Sequence, residues 1–359
     1  MVSKSKFLVV LKIILLFYLF LLSIEFIGVF TNSLAGAWLG KTLGSATNPL
    51  LGVFLGIIIT SIIQSSSVTT SVTVGLVAGN IISLTTAVGI IFGANLGTSV
   101  TNSLFSLAYF RQKGKFELAF SYSILNDIFN ILSLVVLFPL EYFFHPIEKL
   151  SLATASIIPS NIIFLPKLLN YLTEPVISSI KLVIPWPSAF LLLALFGIIF
   201  ALQNFTHIIK PWINSKAKDK INSTLLGNTL LTFLAGAILT IFIQSSSMAS
   251  SFVIPFMASG LIDLVRIFPY LLGSNIGTTF TALLAATATG SPLALAAALA
   301  HLYYNLIGTI LVIFIYHLPI FLAQTVADFE SRHRWFAPVY LVGLFFVIPI
   351  AGILLLSLI

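Results

Sequence analysis

Cysteine is absent from this chain of 359 residues, and charged side chains make up only 8% of it. The absence of cysteine excludes disulfides, thiolate nucleophiles and cysteine-ligated zinc or iron–sulfur centres. Soluble domains average about 25% charged residues, so the scarcity of charge excludes an ordinary water-soluble globule. No transition-metal ligand spacing, catalytic dyad or nucleotide-binding loop is evident. The sequence therefore predicts a protein that is not an enzyme and carries no organic cofactor.

Hydrophobic residues make up 58% of the chain and form long runs. Residues 42–110, 221–262 and 267–327 contain no Asp, Glu, Lys or Arg. Runs of this length are typical of helices in lipid. We therefore predict an all-α, multi-pass protein of the cell membrane, whose partners include the lipid bilayer but not nucleic acid. The apolar run at 13–30 is longer than the core of a signal peptide, and we interpret it as an uncleaved spanning helix.

Two polar elements occur twice in the chain. The run Gln-Ser-Ser-Ser at 64–67 recurs at 244–247. The element Gly-Ala-Asn-Leu-Gly-Thr-Ser-Val-Thr at 93–101 recurs as Gly-Ser-Asn-Ile-Gly-Thr-Thr-Phe-Thr at 273–281. Both pairs are separated by 180 positions, and 13 of the 38 positions from 64 to 101 are identical to their counterparts. This pattern indicates an internal duplication.

Basic residues cluster at positions 4–12, 111–115 and 210–220. Cytoplasmic loops are enriched in Lys and Arg, so all three clusters are predicted to be cytoplasmic. The chain between 49 and 110 must then cross the membrane an odd number of times. A re-entrant helical hairpin around 64–67, followed by one crossing, satisfies this condition. A second hairpin around 244–247 starts from the opposite face, so the sequence predicts two inverted-topology repeats and about seven crossings.

The predicted organisation follows from these assignments. An N-terminal helix and outer loop (1–48) precede the first repeat (49–138), in which the hairpin is followed by two crossings. An outer or interfacial connection (139–185) leads to a crossing helix and a basic cytoplasmic loop (186–223). The second repeat (224–316) has the same content as the first. A C-terminal loop and helix (317–359) follow it.

Interrupted helices in matching positions are typical of secondary transporters, which bind substrate near the membrane midplane. Half-helix N-termini attract anions, and neither hairpin contains a Lys or Arg that would do so instead. Because hydroxyl and amide groups both donate and accept, such a site suits a protonated phosphate better than sulfate. An anion held by neutral donors in a low dielectric needs a compensating cation. Hard oxygen ligands for an alkali cation lie beside the hairpins in Thr98, Thr101, Thr278 and Thr281.

These motifs make the chain resemble the type II sodium-dependent phosphate cotransporter family. The resemblance rests on both Gln-Ser-Ser-Ser runs and both Gly-(Ala/Ser)-Asn-(Leu/Ile)-Gly-Thr elements, and it extends over roughly residues 49–352. Further matching segments are Asp-Ile-Phe-Asn at 127–130, Leu-Phe-Pro-Leu-Glu at 137–141, Thr-Glu-Pro at 173–175 and Arg-Trp-Phe-Ala at 334–337. The family implies symport of inorganic phosphate with sodium, by alternating access, through a site shared between the repeats.

The resemblance also implies roles for individual positions. Phosphate would contact both hairpin tips, at Gln64, Ser65, Ser66, Gln244, Ser245 and Ser246, and we add the amides of Asn95 and Asn275 from the second repeated element. Sodium would lie at or near Gln244, Ser274, Thr278 and Thr281. Charge-moving members of the family carry a carboxylate at the position of Asp127. We therefore predict a further sodium ion there, with Asn130 beside it, and electrogenic transport.

Two other interpretations stay open at this point. A proton-driven phosphate or oxyanion carrier would need a titratable group inside the membrane, such as Asp127, Glu25 or His301. An anion channel would use the same dipoles without coupling to sodium. For His301 we favour a packed, neutral side chain. We expect the protein to be a monomer.

Overall fold

The computed structural model describes residues 8–16, 18–19, 22–23, 26, 29, 42–46, 48–158, 168–184, 186, 188–190, 192–193, 196–197, 200–201, 204, 208, 223, 226–289, 291–333, 335–356 and 358. All the regular elements in these residues are helical. Four helices among them are long and apolar enough to cross a membrane, at 84–109, 113–144, 292–314 and 336–356. Parts of the predicted span 13–30 and of the crossing helix and loop predicted at 186–223 lie outside the described residues. Glu25, Arg334 and the whole basic segment 210–220 also lie outside them.

The helices fall into two halves. The first half contains α1 (Pro49–Ile63), α2 (Ser66–Ala78), α3 (Leu84–Ser106), α4 (Lys113–Phe144), α5 (Pro146–Ala155) and α6 (Leu168–Val183). The second contains α7 (Thr229–Ile243), α8 (Ser246–Ser251), α9 (Ile254–Ala258), α10 (Leu264–Gly277), α11 (Thr279–Thr289), α12 (Pro292–Phe314), α13 (His317–Arg332), α14 (Phe336–Val342) and α15 (Ile348–Leu356). A π-helical segment, Gly343–Val347, joins α14 to α15.

Each half opens with a helical hairpin whose turn consists of a glutamine and a serine. Gln64 follows α1 in the left-handed conformation (φ 60°, ψ 25°), and Gln244 follows α7 in the same conformation (φ 57°, ψ 27°). Ser65 and Ser245 are extended, and each side-chain oxygen accepts the backbone N–H three residues further on, at 3.3 Å. Left-handed backbone is uncommon for glutamine, and such conformations cluster at functional sites.

Glycines hold the first arm of each hairpin against the crossing helix that follows. A Cβ atom on Gly93 of α3 would lie 2.0 Å from the Val53 carbonyl oxygen of α1. A Cβ atom on Gly273 of α10 would lie 1.9 Å from the Phe233 carbonyl oxygen of α7. Only glycine admits so close an approach of two backbones. The duplication seen in the sequence therefore extends to backbone packing.

Helices α4 and α12 cross where the two halves meet. Alignment of Asn130 with Asn305, a separation of 175 positions, makes Ser133 equivalent to Gly308. These two residues face each other, because a Cβ built on Gly308 would lie 3.1 Å from the Cβ of Ser133. Where two related copies pack together, equivalent residues touch each other at the axis that relates the copies. At the α4–α12 crossing, equivalent positions of the two halves are therefore in contact.

Two helices differ in extent from the stretches expected from the sequence. Helix α4 continues past residue 138 to Phe144 with Pro139 inside it, which membrane helices tolerate when neighbouring groups satisfy the freed carbonyl. The crossing expected directly after the second hairpin consists of two helices, α10 and α11, which meet at Thr278 directly after Gly277. The corresponding helix of the first half, α3, is continuous.

Candidate functional site

The two hairpin tips meet. The hydroxyl of Ser67, in the first turn of α2, donates to the carbonyl oxygen of Gln244 in the other tip, and the two oxygens are 3.1 Å apart. Segments that are 177 positions apart in the chain are thus brought into direct contact. The structure therefore brings together the two repeated Gln-Ser-Ser-Ser runs at one place in the fold.

The serines at the tips are arranged alike in both halves. Ser66 and Ser246 are buried, at 3% and 6% exposure, while Ser65 and Ser245 are half-buried. Ser65 and Ser245 cap their helices as acceptors, so the proton of each hydroxyl stays available for donation. The tips consequently present hydroxyl donors from both halves without a charged side chain.

The polar side chains behind the second tip include three oxygens without a hydrogen-bond partner among the described residues. These buried atoms are Gln244 Oε1, Thr278 Oγ1 and Thr281 Oγ1. Ser274 Oγ is hydrogen-bonded to Thr240 Oγ1 at 2.8 Å, which links α10 to the last turn of α7. Amide and hydroxyl oxygens of this kind are suitable ligands for a hard cation.

The equivalent residues behind the first tip differ from these in part. The Gln64 amide donates to the Ser61 carbonyl, and the Thr98 hydroxyl donates to the Ala94 carbonyl at 2.8 Å. Thr101 Oγ1 is buried and has no partner in the part of the chain that is described. Of the two predicted threonines in this half, one is thus satisfied within its own helix.

Asp127 is fully buried in α4. Its Oδ2 accepts hydrogen bonds from Ser103 Oγ of α3 at 3.2 Å and from Tyr340 Oη of α14 at 3.0 Å. Within the described residues, Asp127 Oδ1 has no hydrogen-bond partner and the carboxylate forms no ion pair. Asn130 lies one turn further along α4, and its Nδ2 donates to the Asn126 carbonyl at 3.0 Å. Asn130 Oδ1 is buried and has no hydrogen-bond partner among the described residues. The two side chains offer oxygens to a cation.

Asn95 and Asn275 lie in contacts that join the two halves. Asn95 Oδ1 of α3 lies 3.2 Å from His301 Nε2 and 3.0 Å from Asn305 Nδ2, both on α12. Asn275 Nδ2 of α10 donates to Asn126 Oδ1 of α4 at 3.1 Å. The structure thus places these amides at the interface between the halves, and the packed role favoured for His301 agrees with this contact.

Sequence reasoning missed Asn102 and Tyr340. Asn102 Oδ1 of α3 accepts from Ser250 Oγ at 2.9 Å and from Ser251 Oγ at 2.8 Å, which attaches the second arm of the second hairpin to the first half. Tyr340 reaches Asp127 from 213 positions away. Asn102 could have been identified as an amide inside an apolar span, because buried polar side chains in membrane helices usually form hydrogen bonds with neighbouring helices.

Comparison with known proteins identifies two matching segments. The family model for the Na+/Pi-cotransporter matches residues 19–151 and 195–329. The rat sodium-dependent phosphate transport protein 2C is 31% identical over 360 residues, covering 76% of this chain and 59% of that protein. The bovine protein 2B is 30% identical over 371 residues, covering 76% and 53%, and the mouse protein 2A is 28% identical over 350 residues, covering 75% and 55%.

The chain thus spans between half and three fifths of the length of the curated relatives that it matches. No solved structure matches it. The two matched segments each contain one Gln-Ser-Ser-Ser run, one paired Asn-containing element and one of the α4 and α12 helices.

Proposed function

The chain belongs to the Na+/Pi-cotransporter family, and from that membership we propose that it couples inward sodium movement to the uptake of inorganic phosphate. Phosphate binds between the two hairpin tips, which re-enter the membrane from opposite faces as parts of two inverted repeats. The observation that carries the proposal is the contact between the tips, where Ser67 Oγ lies 3.1 Å from the Gln244 carbonyl oxygen.

Phosphate is held by neutral donors. The hydroxyls of Ser65, Ser66, Ser245 and Ser246 and the first N–H groups of α2 point to an oxyanion site that needs no Lys or Arg. Neutral donors of this sort release their substrate more readily than a buried ion pair would, because no uncompensated cation is left behind. The side-chain amides of Gln64 and Gln244 close the site from either side.

Sodium supplies the compensating charge. Gln244 Oε1, Thr278 Oγ1 and Thr281 Oγ1 are buried oxygens without a described partner, and a buried acceptor left unpaired is costly. A sodium ion at this position satisfies them and lies beside the second tip, where it offsets the phosphate charge. Thr278 lies at the junction of α10 and α11, and interrupted helices line the ion sites of other carriers.

A further sodium ion binds at Asp127. A fully buried carboxylate without an ion pair needs a positive partner in low dielectric. With Asp127 Oδ1 and Asn130 Oδ1 as ligands, this ion makes transport electrogenic. The alternative of proton coupling uses the same carboxylate, and the choice between the two ions is made by experiment.

The contacts between the halves support inverted repeats. In the α4–α12 alignment Asn126 is equivalent to His301, and the two contacts Asn95–His301 and Asn275–Asn126 are therefore counterparts. Each half thus presents the same pair of positions to the other, as in a two-fold arrangement. An axis in the membrane plane gives this exchange together with opposite orientations of the halves.

The decisive experiment is phosphate uptake by the purified chain in proteoliposomes. Radiolabelled phosphate should accumulate under an inward sodium gradient and not when choline replaces sodium at fixed pH. Counterflow of labelled phosphate should also occur, which a channel does not support. Equal uptake in choline under an inward proton gradient would contradict sodium coupling in favour of protons.

Site variants locate the activity. Gln64→Ala and Gln244→Ala should each lower uptake more than tenfold. Gln324→Ala, which removes an exposed glutamine on α13, is the matched control and should transport like the wild type. Normal uptake by both tip variants would contradict the location of the site between the hairpins.

A further inference from the structure

Contacts between the two halves fall into two groups when each is compared with its counterpart. In a carrier built from two inverted copies, alternating access moves one copy against the other around a fixed site. The two access states are then related by exchanging the conformations of the copies. The counterpart of a contact is the contact between the equivalent residues with the two copies exchanged. When a contact and its counterpart are both formed, both persist in the two access states. When only one of them is formed, it breaks on the exchange and its counterpart forms instead.

Three contacts between the halves belong to the first group. The bond from Asn305 Nδ2 to Asn95 Oδ1 at 3.0 Å has no counterpart between Asn130 and Asn275 among the described residues, so it belongs to the second group. Asn95–His301 at 3.2 Å and Asn275–Asn126 at 3.1 Å are counterparts, and both are formed. Ser133 and Gly308 are equivalent residues that touch each other, so this contact is its own counterpart. The three contacts of the first group do not distinguish one access state from the other.

The contact between the tips belongs to the second group. Ser67 Oγ donates to the Gln244 carbonyl oxygen at 3.1 Å. Its counterpart would join Ser247 to the Gln64 carbonyl oxygen, and no such hydrogen bond is formed among the described residues. Both tips have the sequence Gln-Ser-Ser-Ser and the same backbone turn, so composition does not explain the difference. The two tips thus share sequence and turn, and one of the two equivalent hydrogen bonds is formed.

We propose that Ser67 and Ser247 are positioning residues that alternate during transport. In one access state Ser67 bonds to the Gln244 carbonyl oxygen, and in the other Ser247 bonds to the Gln64 carbonyl oxygen. The α4–α12 crossing at Ser133 and Gly308 is the pivot that stays unchanged. This inference rests on the proposed function, because it assigns the contacts to the two states of a carrier.

The alanine variants of the two serines separate alternation from a structural role. The full chain is reconstituted in one orientation, and the sodium concentration that half-saturates phosphate transport is measured from each face. Ser67→Ala should raise it at one face and Ser247→Ala at the opposite face, each about threefold or more, because a less populated state binds its ion more weakly overall. In the double variant, the ratio of the half-saturating sodium concentrations at the two faces should return toward the wild-type value.

Several outcomes would overturn the inference. Weakening at the same face by both variants, or unchanged values at both faces, would mean that the serines do not alternate. Ser71→Ala, one turn further along α2, is the matched control. It should leave the ratio of the half-saturating sodium concentrations at the two faces unchanged. A wild-type chain that takes up no phosphate would instead overturn the proposed function, so the two failures are distinguishable.

The pivot is tested by a cross-link, for which the absence of native cysteine leaves a clean background. Cβ atoms at 133 and 308 would be 3.1 Å apart, close to the spacing of about 3.5–4.5 Å found in disulfides. Oxidation of the Ser133→Cys/Gly308→Cys variant should leave at least half of its sodium-driven uptake. Arrest of uptake on oxidation, with recovery in reductant, would show that the crossing moves.

Discussion

The glutamines at the two hairpin turns share a backbone conformation and differ in what their side-chain amides contact. Gln64 donates to the carbonyl of Ser61 in its own helix. The Oε1 atom of Gln244 is buried and has no hydrogen-bond partner among the described residues. The threonines behind them differ in the same way, since Thr98 bonds to the Ala94 carbonyl and Thr278 Oγ1 is unpaired in the part described.

The duplicated halves have kept the same backbone turn and packing, but their polar side chains differ in hydrogen bonding. The turn and the backbone packing are preserved in both halves because glycine and the left-handed residue are constrained by geometry. The polar side chains diverged, since the first half has Ala94 at the position equivalent to Ser274 of the second half. We infer that both halves bind phosphate and that sodium binds more tightly behind the second tip, where Thr278 Oγ1 is unpaired in addition to the equivalent pair Thr101 Oγ1 and Thr281 Oγ1.

The largest expected effect comes from disrupting the glycine packing that both halves share, of α1 on α3 and of α7 on α10. Gly93→Ala and Gly273→Ala each place a Cβ within 2.0 Å of a carbonyl oxygen, which should cost about 3 kcal/mol or more and prevent folding. The yield of monodisperse protein and its melting temperature measure this. Gly75→Ala is the control, since a Cβ there meets nothing within 4 Å, and it should fold normally.

The next prediction concerns a carboxylate that has no counterpart in the second half. Asp127→Asn should abolish the transport current while leaving phosphate uptake, because the additional sodium ion loses its charged ligand. Current and uptake are recorded on the same preparation. Asp328→Asn, which disrupts only an exposed pair with Arg332 at 2.8 Å, should change neither quantity. Unchanged charge per phosphate in Asp127→Asn would refute the assignment.

A third test compares equivalent threonines directly. Thr278→Val removes an oxygen proposed to bind sodium and should raise the half-saturating sodium concentration about tenfold, or about 1.4 kcal/mol. Thr98→Val removes a hydroxyl that is bonded within its own helix and should raise it less than twofold. Sodium titrations of phosphate uptake provide the measurement. Equal effects of the two substitutions would show that the halves bind sodium alike.

The smallest expected effect tests what the turn and the amide contribute separately. Gln64→Gly and Gln244→Gly keep the left-handed backbone at lower cost, so each should melt a few °C above the matching alanine variant, an effect of about 1 kcal/mol. Both glycine variants should nevertheless transport as poorly as the alanine variants. Melting curves and uptake are compared for the four proteins. A glycine variant with full uptake would show that the amide has no role.

The sequence predicted the family and the pairing of the hairpin tips because the relevant residues recur at one fixed separation. It did not predict the second equivalence, in which Asn126 matches His301, because the separation shifts by five positions and the residue types differ. The contacts of Asn102 with Ser250 and Ser251 were also beyond its reach. A polar residue in an apolar span indicates that a hydrogen-bond partner is needed, but the sequence does not show which helix provides that partner.

The same limit applies to the roles expected for Asn95 and Asn275. Their place in the repeated element predicts contact with phosphate, which stays a prediction, while the structure shows their amides in contacts between the halves. Whether a residue of a repeat faces the site or the other copy depends on the rotation of its helix. That rotation is determined by the backbone contacts of glycines such as Gly93, which only the assembled structure reveals.

The glycine contacts also limit how the hairpins can move. Contacts occur at successive turns, since a Cβ on Gly56 would lie 2.3 Å from the Ile90 carbonyl oxygen and one on Gly236 would lie 2.0 Å from that of Tyr270. Two backbones that interlock over several turns cannot slide past each other by even one residue. The first arm of each hairpin and its crossing helix must therefore travel as a single rigid body, and any hinge must lie between that body and the second arm.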